Sequence, residues 1–173
     1  MGEAPPPSDR IKPSLLDRLT DDEPGELRDP PHKRFATTKQ LRESVVRDLG
    51  WLLNCVRLAT VQELGAHPYA AKSVLNFGLP DLAGRTASGI DIPELEQQLR
   101  QAILDFEPRL LPSSVEVSVV QAPESTAHNN MQLVIEAKLF AHPVPLAVWL
   151  RTEIDLENGE VNITETTRER SAH

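Results

Sequence analysis

Glu107, Pro108 and Arg109 are the residues of this chain whose types and order best suit chemistry. A carboxylate and a guanidinium form strong charge-assisted hydrogen bonds, either with each other or with groups on another molecule. The proline between them fixes the backbone and removes a donor. Two readings stand beside each other: a turn that pairs its charges or offers them to a partner, and a helix stop carrying two solvated charges, where ion pairs are weak. Glycoside hydrolysis, the chemistry of a peptidoglycan hydrolase, is the competing class. It needs two carboxyl groups about 5–9.5 Å apart. Asp105 lies two residues before Glu107 and on a helix faces another direction, so no second carboxylate is indicated. The five histidines, His32, His67, His128, His142 and His173, show neither HxxxH nor Cys/His ligand spacing, which argues against a zinc site. No glycine-rich phosphate loop follows a strand, and Ser88-Gly89 is a loop pair. Cys55 falls among Trp51, Leu52 and Val56 and reads as a packed small apolar residue, not a nucleophile. The expectation is a protein that is not an enzyme, with no catalytic residue, cofactor or metal.

The elements that position the motif follow from periodicity. A helix arriving at Pro108 stops near Glu107. Its start is signalled by Asp91 with Glu94 and Pro93, and its apolar stripe is Ile92, Leu95, Leu99, Ile103 and Phe106. An earlier helix opens on a Thr37/Gln40 capping box, with Leu41, Val45, Leu49, Leu52 and Val56 at helical spacing. Its other side, Arg42, Glu43, Arg47 and Asp48, reads as a solvated face. Ser14 caps a short helix over 14–20 that turns Leu15, Leu16 and Leu19 to one side. That helix is too short to stand alone, so it docks either on its own domain or on a neighbouring subunit. Between 65 and 85 the pattern is irregular, with a short extended piece at 73–77. After Pro112 the period becomes two: Val115, Val117, Val119; then Met131, Leu133, Ile135, Ala137, Leu139; then Leu146, Val148, Leu150, Ile154, Leu156. Asn158-Gly159 signals a hairpin into Val161 and Ile163. Helices first and strands afterwards predict an α+β fold, N-terminal helices packed on an antiparallel meander of about four strands. In chain order the sheet edges are 115–120 and 161–163.

With 173 residues the chain is long enough for one domain with a core. We divide it into a flexible N-terminal segment, 1–34, carrying the short helix; a domain over 35–165; and a charged tail, 166–173. A net charge of −8 argues against nucleic acid or an anionic membrane as partner. One cysteine excludes an internal disulfide and suits a reducing compartment. Without a long apolar run or a signal-peptide layout, direct membrane insertion is not expected and the cytoplasm is.

Four ordered stretches carry a resemblance. Pro13-Ser14-Leu15-Leu16-Asp17-Arg18-Leu19, Asp48-Leu49-Gly50-Trp51-Leu52-Leu53-Asn54, Ser73-Val74-Leu75-Asn76-Phe77-Gly78-Leu79-Pro80-Asp81-Leu82 and Glu107-Pro108-Arg109 resemble the phage-tail baseplate wedge family, lysozyme-like in some of its labels, to which the TssE subunits of bacterial type VI secretion systems belong. One departure is Cys55-Val56-Arg57, where TssE proteins usually carry Thr-Arg after the Asn. The resemblance implies a structural baseplate subunit, held in the cytoplasm at the inner membrane. Its expected partners are the wedge proteins TssF, TssG and TssK and the sheath proteins TssB and TssC. Glu107, Pro108 and Arg109 would then be the socket for the wedge core. Leu15, Leu16 and Leu19 would be a docking face, and the edge strand with Val161, Asn162 and Ile163 the place where a sheath strand is added.

Overall fold

The computed structural model describes residues 11–20, 24–25, 35–120, 130–141 and 144–166. Most of the 1–34 segment, the polar loop after Pro123 and all of the charged tail except Thr166 therefore lie outside the described residues. Helix α1 is Leu15–Leu19, α2 is Thr38–Leu53, α3 is the single turn Pro68–Ala71 and α4 is Ile92–Phe106. Four antiparallel strands follow in chain order: β1 Glu116–Val120, β2 Asn130–Leu139, β3 Leu146–Asp155 and β4 Val161–Glu165. This is the expected α+β fold, with β1 and β4 at the edges.

The two long helices form where their caps and stripes dictate. Thr37 accepts from the Gln40 amide and Gln40 returns the bond to Thr37, closing the capping box of α2. Asp91 accepts from the Glu94 amide at 3.1 Å to open α4. Leu41, Val45, Leu49 and Leu52 of α2 and Leu95, Leu99 and Ile103 of α4 are buried in one core with the inner face of the sheet. That face is Met131, Leu133, Ile135, Ala137 and Leu139 on β2, with Val148, Leu150 and Ile154 on β3. Each such large side chain contributes about 1.5–3 kcal/mol by leaving water. Thr152 stands among them and is satisfied by donating to the Leu133 carbonyl at 3.3 Å.

The structure corrects three local expectations. Val56 is not part of the α2 stripe, because the helix ends at Leu53 and Asn54 caps it. For the same reason Cys55 is exposed, not packed. Beyond the helix the backbone turns to meet Leu79 in a parallel bridge, Leu79 N–H donating to the Cys55 carbonyl at 2.7 Å. The stretch expected to be extended at 73–77 instead forms a 3-10 turn, Val74–Asn76. Its side chains bond locally: Ser73 accepts from the Leu75 amide, and Asn76 ties Ala59 and Ala71. Such bonds compete with strand formation. The Asn158-Gly159 hairpin is present, with Gly159 at φ 79° and its N–H donating to the Asp155 carbonyl at 2.7 Å.

Candidate functional site: an ion-pair chain around the Glu-Pro-Arg turn

Helix α4 delivers Glu107 as its C-terminal cap, with the Glu107 N–H still bonded to the Ile103 carbonyl at 2.9 Å. Pro108 then forces the turn. On the far side the chain is fastened to the end of β2, where Leu111 N–H donates to the Lys138 carbonyl and Phe140 N–H to the Arg109 carbonyl, both at 2.8 Å. The motif is thus clamped between a helix end and a strand end.

Its side chains turn on each other. Arg109 Nε and Nη2 grip the two Glu107 carboxylate oxygens at 2.7 and 2.5 Å. Nη2 also donates to Asp48 Oδ2 at 2.6 Å, and Nη1 donates to Ser44 Oγ at 3.1 Å. Asp48 Oδ1 accepts from Arg47 Nε at 2.9 Å and lies 2.8 Å from Arg47 Nη2. Arg47 Nη1 reaches Asp17 Oδ1 of α1 at 2.6 Å, and the Arg47 guanidinium lies 5.1 Å from the centre of the Trp51 ring. Three carboxylates and two guanidiniums therefore run in an unbroken chain, Asp17–Arg47–Asp48–Arg109–Glu107. Burial works against the charge on Arg109, but bonds and attraction from Glu107, then from Asp48, hold its pKa above the ordinary arginine value.

Glu107 is only 3% exposed. The reading of two solvated charges at a helix stop is overturned, because a buried carboxylate survives only when paired. With both oxygens engaged, Glu107 faces its own domain, and the outward parts of the motif are Pro108 and the rim of Arg109. With both oxygens held by Arg109, Glu107 offers neither of them to a substrate. Asp105 points away, accepting from Gln101 at 2.8 Å. The α2 face read as solvated is also corrected at Arg47 and Asp48, which form the middle of the chain. Ser44, Arg47, Asp48 and Asp17 are the site residues that periodicity misses. Ser44 and Asp48 stand one turn apart beside the buried Val45 and Leu49, a placement that asks for a cation opposite.

The other expected site residues lie apart from this cluster. Leu15, Leu16 and Leu19 are 70, 42 and 74% exposed, while Asp17, from the same helix, faces Arg47. On β4, the Val161 N–H and carbonyl are both bonded at 2.9 Å to the side chain of Asn54. Outward-facing groups alternate along an antiparallel edge strand, so Asn162 faces β3, where its partner is Glu153. Ile163 and Glu165 hold the outward positions.

A baseplate wedge protein gp25 family model matches residues 39–144 of the chain. The chain belongs to the baseplate wedge protein gp25 family. For this wedge family member the match takes in Ser44, Arg47, Asp48, Glu107 and Arg109, and stops short of α1 and of β3. The family places the chain as a structural component of a phage-tail-like baseplate. One solved structure, of a Geobacter sulfurreducens protein named provisionally as a tail lysozyme, is similar at 16% identity and TM-score 0.39, over 80% of this chain and 97% of that one. At those values it carries no argument about activity. No curated protein matches.

The Asp17 end of the ion-pair chain titrates in a predictable direction. Burial raises the Asp17 pKa, and the bonds from Ser14 and Arg47 outweigh it and set it below the ordinary aspartate value. A carboxylate lowered on folding stabilises the folded state above its unfolded value and loses that contribution as pH falls through its folded value. Acidification below about pH 4 is expected to loosen α1 ahead of the rest of the domain. Amide exchange at Arg18 and Thr20, followed by NMR over a pH titration, reads this directly. Exchange that accelerates only together with the amides of α4 would count against it.

Proposed function

We propose that this wedge-family chain is a TssE-type subunit of a type VI secretion baseplate. It joins the wedge complex of TssF, TssG and TssK to the contractile TssB–TssC sheath and nucleates sheath assembly, at the cytoplasmic side of the inner membrane. The observation that carries the reading is the Glu-Pro-Arg turn. Its charges are fixed inside the domain, so Pro108 and the Arg109 rim stand at a rigid, preorganised surface of the kind a permanent assembly uses. The outward leucines of α1 supply a second face, since large apolar side chains left in water mark contact sites. Strand addition by the sheath would use Ile163 and Glu165, where the β4 backbone faces outward.

A pull-down of the tagged chain from a native lysate tests the assignment, and recovery of no wedge or sheath subunit would sink it. Replacing Leu15 and Leu19 together by serine refines the test. Because both are exposed, unfolding should shift by no more than about 0.5 kcal/mol, while recovery of wedge subunits falls. Undiminished recovery would remove α1 from the interface.

A further inference from the structure

We propose that helix α1 and the Glu-Pro-Arg turn are one coupled binding element, with Asp48 as the residue that positions both. The inference rests on the baseplate reading for what the element binds, and on geometry alone for the coupling. Arg47 is shared between two acids, through Nη1 to Asp17 and through Nε and Nη2 to Asp48. Asp48 is shared between two cations, Oδ1 on Arg47 and Oδ2 on Arg109. Asp17 and Asp48 therefore share one guanidinium through separate nitrogens, and Arg47 and Arg109 share one carboxylate through separate oxygens.

The sharing gives the coupling a sign. When a partner's acidic group draws on Arg109, Asp48 is left with Arg47 as its remaining cation. It then pulls Arg47 from Asp17 and, less neutralised, repels Asp17 across a partly buried gap where charge is weakly screened. No residue of α1 itself is buried, and among the described residues the Asp17–Arg47 pair is the ion pair that ties the helix to α2. Upstream of it, Ile11 is held by packing and by the Ala36 N–H bond to its carbonyl at 2.9 Å. Engaging the turn therefore frees Leu15, Leu16 and Leu19 on a short tether anchored at Ile11. The partner this fits carries an acidic group for Arg109 beside an apolar groove for the leucines.

The test uses the purified full chain and reads amide exchange at Asp17, Arg18 and Thr20 by NMR. Arg109→Lys keeps a cation for Glu107, but a single ammonium lacks the fork that also holds Asp48. It is expected to speed exchange at those amides by about fivefold or more, with α4 unchanged. Adding Asp48→Asn should return the rate to that of the wild type or below it, a rescue that simple destabilisation would not give. Unchanged exchange in Arg109→Lys, or acceleration that persists in the double variant, overturns the proposal. Should Arg109→Lys fail to fold, Asp48→Asn alone decides: exchange slows if Arg47 passes wholly to Asp17, and the coupling is refuted if it does not. Copurification with baseplate subunits is scored separately, so a failed baseplate reading and a failed coupling give different results.

Discussion

Arg109→Ala is expected to lower the stability of the domain by about 3–5 kcal/mol, a fifth or more of what a domain of ordinary stability, about 5–15 kcal/mol, possesses. The side chain it removes is the one that neutralises Glu107, and Glu107 is buried. What remains for that carboxylate is the Arg109 backbone N–H at 3.1 Å. Asp48 loses its second cation in the same step. Glu107→Gln should be milder, roughly 1–2 kcal/mol, because an amide oxygen still accepts from Arg109 and Asp48 still balances the guanidinium. Denaturant midpoints with unchanged m-values measure both. An Arg109→Ala protein within about 0.5 kcal/mol of wild type would refute the buried-pair account. A loss of assembly in Arg109→Ala reports unfolding unless the melt is measured beside it.

Gly78→Ala is expected to cost about 3 kcal/mol. Gly78 has φ 120°, and an added Cβ would sit 2.3 Å from the Cys55 carbonyl oxygen and 2.6 Å from its carbon. That carbonyl cannot retreat without breaking its bond from Leu79 N–H, and the Arg57 N–H bond to the Leu79 carbonyl at 2.8 Å goes with it. This small parallel bridge fastens the 58–77 excursion to the end of α2. Gly84→Ala is the control: φ 72°, with open space around the Cβ position, so only the left-handed backbone penalty of about 1–2 kcal/mol applies. If Gly78→Ala melts no lower than Gly84→Ala, the close approach does not constrain the fold.

Much of the architecture was readable in advance because it is written in local periodicity. The caps at Thr37 and Asp91, the stop at Pro108, the alternation along β2 and β3 and the Asn158-Gly159 hairpin all depend on residues within a few positions of one another. The candidate site was readable only in part. Glu107 and Arg109 are adjacent enough for their pairing to be weighed from sequence. Asp48 and Arg109 lie 61 positions apart and Asp17 and Arg47 lie 30 apart, and no periodicity reports such meetings. An amphipathic pattern separates apolar from polar positions and cannot distinguish a wetted charge from a paired one. Cys55 was misplaced by one physical fact, that α2 ends two residues before it.

The two rims of the sheet bear on the life of the chain before it joins anything. An open four-stranded meander with bare rims invites copies to stack by backbone pairing. On β1 the Val119 N–H is taken by Glu96 at 2.7 Å and the Val115 carbonyl by Arg100 at 3.0 Å, both from α4. On β4 Asn54 takes both groups of Val161. Among the described residues this leaves Val117 and the Val119 carbonyl on one rim, and Ile163 and Glu165 on the other, as outward backbone groups that these side chains do not hold. Among the described residues each open run is short, which disfavours repeated stacking of copies while leaving room for a single added strand. Copies of the chain are thereby discouraged from pairing rim to rim.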